Sequence, residues 1–500
     1  MTLFDLANAQ SMRVPTSCQR LGTCHECIVE VRSGADALCP PTEAESFLKG
    51  GYRLACQARL ITEGAAVDFA PLSRRPKILT GSAETGVYRH GGVYGVAIDL
   101  GTTTVVLDVV NMESGEVVYQ ASFGNPQRFG GSDVMHRISY DGGPFRGELH
   151  KAAIAAVNRV LKDACRTLGM DRHEIQEMMV AGNSTMRDLF FGLDVQSIGQ
   201  RPYKSLTEHE WREGKRPTTA LSAPAHTLGL WMNPKGLVTS PPLIASHVGA
   251  DTVADLVAIG IESRDDVVML VDVGTNTEVV IGRAGRYVAA SCPAGPAFEG
   301  GHVRYGMPGV DGAIESLRLN GEAWIHRTIG GVEPEGICGS GLIDLLAELR
   351  RHDRMTPKGV FPGRAREIAI VPERGITFSR EDGSNLAQAK AANYAGQFIA
   401  MRHFGVRPSG ISRLYLAGGF ANYVDVRNAI EIGFLAPVPE QRIVKAGNAA
   451  VEGARRLLCS RALRARAEEL VKSVEHIELE TTPDFFDVFV EGCQFKPMPQ

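Results

Sequence analysis

The sequence predicts a multidomain α/β protein, and three features indicate this fold class. Residues 97–107 (AIDLGTTTVVL) and 270–280 (LVDVGTNTEVV) each combine two apolar runs around a short polar turn. Residues 414–420 (LYLAGGF) contain a third apolar run, which is followed by a glycine pair. Five of the ten cysteines lie within the first 56 residues. Because repeats at distant positions indicate a duplicated fold, we expect two related lobes preceded by a small cysteine-rich domain.

Both turns carry the groups that a metal-bound polyphosphate needs. The first turn supplies Asp99, Gly101, Thr102, Thr103 and Thr104. Glycine lets backbone N–H groups face outward, the hydroxyls add donors, and the carboxylate can hold a hydrated metal ion. The second turn is in register with the first and supplies Asp272, Gly274, Thr275, Asn276 and Thr277. The alternative is that these polar residues merely form the tips of two core hairpins.

The glycine pair, Gly418 and Gly419, follows the third apolar run. Glycine allows the backbone to come close to a flat ligand such as adenine or ribose. In this order the three motifs resemble the phosphate-1, phosphate-2 and adenosine motifs of the ASKHA superfamily, which includes acetate kinase, sugar kinases, Hsp70 and actin. The resemblance implies a two-lobed α/β domain that binds ATP and Mg²⁺ in the cleft between its lobes.

The overall composition is that of an ordinary globular protein of 500 residues. The hydrophobic content is 44%, the charged content is 22% and the net charge is −4, which is typical of a chain with an ample core. The sequence has no basic stripe, so we expect no nucleic-acid partner. It also has no run of 18 apolar residues and no signal-peptide pattern, so we expect no membrane partner and a cytoplasmic location.

The N-terminal cysteines have the spacing of an iron–sulfur site. Cys18, Cys24 and Cys27 form the pattern C-x5-C-x2-C, and Cys56 follows at a distance. Three thiolates on one loop with a remote fourth match the [2Fe–2S] pattern of plant-type ferredoxins, with one extra residue in the first gap. Zinc, which more often takes two CxxC pairs, and unligated cysteines are the alternatives. Cys39 fits no ligand position, and we expect it to be a free thiol.

Composition and motif positions divide the chain into four segments. Residues 1–70 would form a β-grasp ferredoxin-like domain with a [2Fe–2S] cluster. Residues 71–92 combine basic residues, prolines and glycines without periodicity, which predicts a linker. Residues 93–242 and 243–500 would form lobes I and II of the ASKHA domain. A β-grasp domain normally opens with a hairpin, but a helix-like stretch begins at Thr2, so we expect that hairpin to be absent.

The sequence also predicts the local structure of several further segments. Helical periodicity covers residues 148–168, and helices are also predicted at 390–400 and 448–458. Residues 178–188 (MMVAGNSTMRD) predict a short strand followed by a helix start, where Asn or Ser would cap the helix or contact phosphate. Residues 291–301 (SCPAGPAFEGG) predict a special loop whose only charge is Glu299.

Taken together, the motifs resemble those of one family. An N-terminal [2Fe–2S] motif followed by NPQRFGGSDVMHRI, VAGNSTM, VDVGTNTE, AGPAFEG, GICGSGLID and LAGGFANY is similar to the reductive activators of corrinoid proteins. The match extends, in order, over nearly the whole chain. It implies ATP-dependent transfer of an electron from a [2Fe–2S] cluster to a Co(II) corrinoid on a partner protein, which regenerates Co(I) for methyl transfer.

The resemblance also implies roles for individual residues. The implied nucleotide contacts are Asp99, Gly101, Thr102, Thr103, Thr104, Asp272, Gly274, Thr275, Asn276, Gly418 and Gly419, and the implied cluster ligands are Cys18, Cys24, Cys27 and Cys56. We predict Mg²⁺ near Asp99 and Asp272, and we expect one of them, or Glu299, to orient the attacking water.

The expected partners are a corrinoid protein of the methyltransferase or methionine synthase type and an upstream electron donor. Family members can carry a dimerisation domain between the ferredoxin and ASKHA parts. Only the linker fits there in this sequence, so a homodimer is left open.

Three other functions are alternatives. One is an ATP-dependent activator of a radical dehydratase or reductase, although such proteins hold a shared cluster and this chain has its own ferredoxin-like motif. Another is a small-molecule kinase with an attached redox sensor, although no segment indicates a substrate pocket. The third is a plain [2Fe–2S] electron-transfer protein with a vestigial nucleotide cleft, against which the intact aspartates and glycines of both turns argue.

Overall fold

The computed structural model describes residues 1–12, 14–16, 18–62, 64–72, 87–419 and 421–500. Most of the predicted linker, residues 73–86, lies outside the described residues, as does Phe420 of the third motif. The described residues divide into two compact units. The first unit contains residues 1–72, 87–180 and 184–240, and the second contains residues 181–183 and 241–500.

The first unit begins with a small domain that has helix α1 and a three-stranded antiparallel sheet. Its elements are α1 (Leu3–Ala9), β1 (Ile28–Ser33), β2 (Tyr52–Leu54) and β3 (Asp68–Pro71), and the sheet order is β2-β1-β3. Thr2 caps α1 in a reciprocal capping box with Asp5, which explains why the helix starts where the sequence predicts it. In the described residues no strand precedes α1.

The rest of the first unit is built on a six-stranded sheet. Its elements are β4 (Tyr94–Leu100), β5 (Thr104–Asn111), β6 (Val117–Gly124), α2 (Val134–Asp141), α3 (Glu148–Leu168), β7 (Ile175–Ala181), α4 (Ser184–Phe190), α5 (Leu206–Arg212), β8 (Leu221–Pro224) and β9 (Leu237–Ser240). The sheet order is β6-β5-β4-β7-β9-β8. One apolar core runs from Leu3 to Val238. The small domain therefore packs against this sheet layer rather than standing apart from it.

The second unit contains a larger set of elements. They are α6 (Ala250–Ile259), β10 (Val268–Val273), β11 (Thr277–Arg283), β12 (Arg286–Cys292), β13 (Ala313–Asn320), β14 (Ala323–Thr328), β15 (Gly336–Ile337), α7 (Gly339–Arg351), β16 (Glu367–Val371), β17 (Ile376–Ser379), α8 (Arg380–Phe404), β18 (Arg413–Ala417), α9 (Val426–Glu431), β19 (Ile443–Gly447), α10 (Ala449–Cys459), α11 (Arg461–Lys472), β20 (Val474–His476) and α12 (Phe485–Gly492). None of the described helices combines the length and apolar content needed to cross a bilayer.

The main sheet of the second unit repeats the plan of the first. Its order is β19-β18-β10-β11-β12-β20, with β10, β11 and β12 antiparallel and β18 parallel to β10. In both units an antiparallel strand triplet is followed by a strand that crosses over to pair with the first strand of the triplet. This correspondence explains the repeated strand–turn–strand pattern of the sequence. Helix α8 is longer than predicted because its polar first turns are stabilised by the Ser379–Asp382 capping box.

Candidate functional site

Four cysteine thiols converge in the small N-terminal domain. The antiparallel pairing of β1 with β2 joins Ile28 to Leu54 and thereby brings the flanking Cys27 and Cys56 together, with their Sγ atoms 3.3 Å apart. The loop before β1 supplies the other two thiols. The Thr16 hydroxyl lies 3.9 Å from Cys18 Sγ and 4.0 Å from Cys24 Sγ. The structure thus brings all four predicted cluster ligands into one small region.

The backbone of the ligand loop is unusual. Gln19, Arg20 and His25 have positive φ angles although none of them is glycine. Such conformations cost free energy and persist where surrounding contacts hold them. The His25 ring stacks on Phe47 with 3.9 Å between ring centroids, and His25 Nδ1 lies 2.8 Å from Glu148 Oε2. The loop is therefore held by the helix α3 as well as by its own domain.

The surroundings of the thiols favour thiolate at two positions. Burial raises the pKa of Cys18, but hydrogen bonds from Cys24, from the Thr23 backbone and from Thr16 outweigh it and lower the pKa to about 6. The hydrogen bond that Cys27 donates to Cys56 lowers the pKa of Cys56 to about 7, although burial opposes it. The same hydrogen bond raises the pKa of Cys27. Because thiolate is the metal-binding form, this environment suits an iron–sulfur cluster.

In the described part of the chain, no three or more His, Cys, Asp or Glu side chains are grouped so that they could hold a metal ion. A [2Fe–2S] cluster needs only two cysteines at each of its two irons, so the four thiols remain compatible with it. Cys39 lies apart, where its sulfur accepts hydrogen bonds from the Arg59 backbone at 3.3 Å and from Arg53 at 3.8 Å. Its exclusion from the ligand set stays a prediction.

The first phosphate-type turn joins β4 to β5. A Cβ at Gly101 would lie 2.5 Å from the Thr104 carbonyl oxygen, so only glycine fits this turn. Two side chains hold its carbonyl groups. Asn125 Nδ2 donates to the Gly101 carbonyl at 2.8 Å, and Arg137 Nη2 donates to the Thr102 carbonyl at 2.7 Å. With its carbonyls engaged in this way, the turn has a defined conformation.

The second phosphate-type turn joins β10 to β11, and the third motif packs against it. Gly418 follows β18 with a φ of +106°, and a Cβ there would lie 2.1 Å from the Val273 carbonyl oxygen and 2.9 Å from Asp272 Oδ1. Glycine is therefore required both by the backbone conformation and by close approach. On the same turn, the Thr275 hydroxyl donates to Glu299 Oε2 at 2.6 Å. The structure brings Asp272, Gly418 and Glu299 together, and their roles in binding or catalysis stay predictions.

Four acids gather at one face of this sheet. Asp272 and Glu278 are directly opposite each other in the β10–β11 pair, so their side chains share a face. Asp251 and Asp255 lie one turn apart on α6 and interact with this pair of strand residues. Glu278 and Asp255 are buried, whereas Asp251 and Asp272 are partly exposed. Thr277, adjacent to Glu278 on the strand, lies on the opposite face and is 1% exposed.

The crowding of these acids raises their pKa values. Burial is the main cause of the raised pKa of Asp251, about 7, and the charge of Asp272 adds to it. Burial likewise raises the pKa of Asp272 to about 6, a hydrogen bond with Asp255 opposes this, and the charge of Glu299 adds to it. Burial and the charges of Asp251 and Asp272 raise the pKa of Glu278 well above its usual range. These acids therefore keep their protons at pH values at which isolated carboxyl groups are ionised.

The predicted site residues omit four residues that the structure places at or beside these turns. They are Asn125, Arg137, Asp255 and Glu278. Glu278 ends the motif VDVGTNTE, and Asp255 is four residues after Asp251 on a helix. Asn125 and Arg137 belong to the motif NPQRFGGSDVMHRI, but nothing in that separate segment indicates that they reach the first turn. The roles of all predicted site residues in binding or catalysis stay predictions.

Three family models match successive parts of the chain. Residues 1–60 match the 2Fe-2S iron-sulfur cluster binding domain. Residues 94–264 match the RACo middle region, and residues 266–499 match the C-terminal domain of RACo, described as the ASKHA domain. These matches confirm the predicted α/β architecture of a ferredoxin-type domain followed by an ASKHA domain. They also confirm that the N-terminal domain is of an iron–sulfur type.

Relatives match most of the chain. A corrinoid activation enzyme, RamQ, from Eubacterium limosum is 31% identical over 90% of this chain and 75% of its own length. A [Co(II) methylated amine-specific corrinoid protein] reductase from Methanosarcina barkeri is 23% identical over 80% of this chain and 76% of its own length. The solved structure of a reductive activator for corrinoid, iron-sulfur protein covers 99% of this chain and 96% of its own, with 27% identity and a TM-score of 0.73. Similarity at this level over most of both chains means that the protein belongs to a family of enzymes, the reductive activators of corrinoid proteins.

Proposed function

We propose that the protein couples ATP hydrolysis to the transfer of one electron from a [2Fe–2S] cluster to a Co(II) corrinoid held by a partner protein, which gives Co(I). The observation that carries this proposal is the presence of a four-thiol site and two phosphate-type turns in a single chain. The names of the relatives, a corrinoid activation enzyme and a Co(II) corrinoid protein reductase, support the substrate class.

Electron transfer of this kind needs an energy source. A plant-type [2Fe–2S] centre has a potential of about −400 mV, and we expect the Co(II)/Co(I) couple to lie lower. Each gap of about 59 mV for one electron corresponds to about 1.4 kcal/mol. ATP can close the gap only by favouring one conformation of the complex over another. A cluster held by the four cysteines would supply one electron to Co(II), and the residues of the two turns would bind the ATP that water converts to ADP and phosphate.

The residues divide into two sets in this proposal. Cys18, Cys24, Cys27 and Cys56 would hold the cluster, and the fit of their thiols supports this. Mg²⁺ would lie near Asp99 and Asp272, and Glu299 or one of these aspartates would orient the attacking water. The hydrogen bond from Thr275 to Glu299 supports a fixed orientation for Glu299. The nucleotide would contact the two turns together with Gly418 and Gly419.

We also propose the domain organisation, the partners and the location that go with this activity. The division into residues 1–70, 71–92, 93–242 and 243–500 would separate the redox domain, a linker and two ASKHA lobes. We expect a corrinoid protein of the methyltransferase or methionine synthase type as partner, and a low-potential protein as electron donor. A homodimer is proposed on the family resemblance alone, and the particle mass in solution tests it. We propose a cytoplasmic location on the sequence, because its N-terminal cysteines have the spacing of a metal site rather than that of a disulfide framework.

The cobalt spectrum of a candidate corrinoid protein tests the proposal. The corrinoid protein is mixed anaerobically with this protein and a low-potential reductant, with and without MgATP. Appearance of Co(I) only with MgATP is the expected result. Co(I) without ATP would point instead to simple electron transfer. Absence of Co(I) with several partners, while ATP is still hydrolysed, would favour a kinase or an activator of a radical enzyme.

A further inference from the structure

One helix contacts both the first phosphate-type turn and the iron–sulfur domain. Helix α2 (Val134–Asp141) carries Arg137 and Tyr140, which are three residues apart and therefore lie on neighbouring positions of the helix surface. Arg137 reaches the turn, and Tyr140 reaches the small domain. All of these contacts lie within the first compact unit.

Arg137 is fully buried and connects helix α2 to the first phosphate-type turn by hydrogen bonds. Its guanidinium donates through Nη2 to the Thr102 carbonyl at 2.7 Å and through Nε to the Gly131 carbonyl at 3.0 Å. A planar guanidinium with several donors holds its acceptors in a fixed geometry. Movement of the turn would therefore be passed to α2, because the buried side chain has little freedom to follow the turn alone.

Tyr140 ties the same helix to the iron–sulfur domain. Its buried hydroxyl donates to the Phe47 carbonyl at 2.5 Å. The Phe47 ring packs edge-on against Phe129, with 5.5 Å between centroids, just ahead of α2. On its other side, Phe47 stacks on His25, next to the cluster ligand Cys24. A continuous chain of contacts thus runs from the Thr102 carbonyl through α2 to the ligand loop.

We propose that Arg137 and Tyr140 are positioning residues that couple nucleotide binding at the first turn to the packing of the iron–sulfur domain. This inference rests on the proposed function, because it requires that the turn binds a nucleotide phosphate. Contact of the phosphate with the Gly101–Thr104 backbone would change the position of the Thr102 carbonyl. Arg137 would then shift α2, and Tyr140 with Phe129 would alter how firmly the domain is held.

Hydrogen–deuterium exchange of the full-length, cluster-loaded protein tests the inference without a corrinoid partner. Exchange is compared with and without a non-hydrolysable magnesium–ATP analogue, for peptides within residues 18–31 and 43–56. We expect the analogue to change exchange in these peptides of the wild-type protein. The Tyr140→Phe variant keeps the ring and Arg137, so it should bind the analogue normally but lose this distant change. One buried hydrogen bond corresponds to a loss of coupling of up to about tenfold.

Two further variants test whether the loss of the exchange response is specific to the contacts between α2 and the iron–sulfur domain. Tyr94→Phe is the matched control, because the buried Tyr94 hydroxyl donates to the Arg89 carbonyl at 2.9 Å and makes none of the contacts described for α2. It should retain the full exchange response. Phe129→Leu removes the edge contact with Phe47 while it leaves the turn contacts intact, and it serves if Tyr140→Phe does not fold. It should also lose the response.

The outcomes separate this inference from the proposed function. If the wild type binds the analogue but shows no exchange change in the iron–sulfur domain, the coupling does not exist. The inference is equally overturned if both interface variants respond like the wild type. If the wild type binds no analogue at all, the proposed function fails first and the inference falls with it.

Discussion

Replacing Asp272 with asparagine should stabilise the protein without nucleotide while abolishing its ATP hydrolysis. Asp272 sits among Asp251, Asp255 and Glu278 on one face of the sheet, and its pKa is raised to about 6, chiefly by burial. Asparagine has nearly the same shape but carries no charge. We therefore expect it to remove repulsion among the acids, and to remove a carboxylate proposed to bind Mg²⁺ near the phosphates.

The size of the effect follows from the pKa shift. Below about pH 4 the Asp272 carboxyl is protonated in both folded and unfolded chains, so it carries no penalty. Between about pH 4 and 6 the unfolded chain releases the proton while the folded chain retains it. Wild-type stability therefore falls as the pH rises through this window and stays lower above it. A shift of this size corresponds to at most about 3 kcal/mol, and to less because solvent reaches the partly exposed side chain.

The assay is thermal unfolding of the nucleotide-free protein without Mg²⁺ at pH 5 and pH 8, together with ATP turnover. Asp272→Asn should raise Tm at pH 8 by several degrees, reduce the dependence of Tm on pH, and lower kcat by about 100-fold. The matched control is Glu45→Gln. Glu45 accepts hydrogen bonds from the Leu54 backbone at 2.9 Å and from Arg53 at 2.8 Å, and although burial opposes them these contacts lower its pKa, so this change should destabilise by about 1–3 kcal/mol. A lower Tm for Asp272→Asn, or unchanged turnover, would refute the reasoning.

Two further predictions concern the glycine motif and the thiols. Gly418→Ala should destabilise the protein by about 2–5 kcal/mol in urea unfolding, because its Cβ would meet the Val273 carbonyl at a positive φ; near-normal stability would mean that the close approach does not occur. Cys56→Ser should lose the visible absorption and the iron of the cluster, about two atoms per chain, whereas Cys39→Ser should keep both. Equal iron content in the two variants would contradict the ligand assignment.

Sequence patterns within short segments predict many of the helices and strands that the structure contains. The helix predicted over residues 148–168 coincides with α3 (Glu148–Leu168), because its apolar positions repeat with the helical period and Gly169 ends it in the left-handed conformation. The hairpins around Gly101 and Gly274 are equally local, since strand, turn and strand follow one another along the chain. The sequence predicts only residues 390–400 of helix α8 (Arg380–Phe404), because the polar first turn of this helix obscures its apolar periodicity.

Local sequence patterns do not predict the contacts between distant segments. The Arg137–Thr102 and Tyr140–Phe47 contacts depend on how α2 packs, and the sequence contains no periodic signal for that packing. The acid cluster depends on strand register, which sets Asp272 opposite Glu278, and on the face that α6 presents to them.

Sequence spacing and motif order were therefore enough to predict the two domain types, which the family models confirm, whereas the roles of the four cysteines and of the two phosphate-type turns stay predictions. These features depend on residues close together in the chain or on a repeated unit. Only the tertiary structure decided that the small domain shares a core with the first sheet, that Gly418 lies against Val273, and that two acids of α6 meet two acids of the β10–β11 pair. Those facts arise from long-range packing, where each contact is stabilised by burial and hydrogen bonding among segments that no local pattern connects.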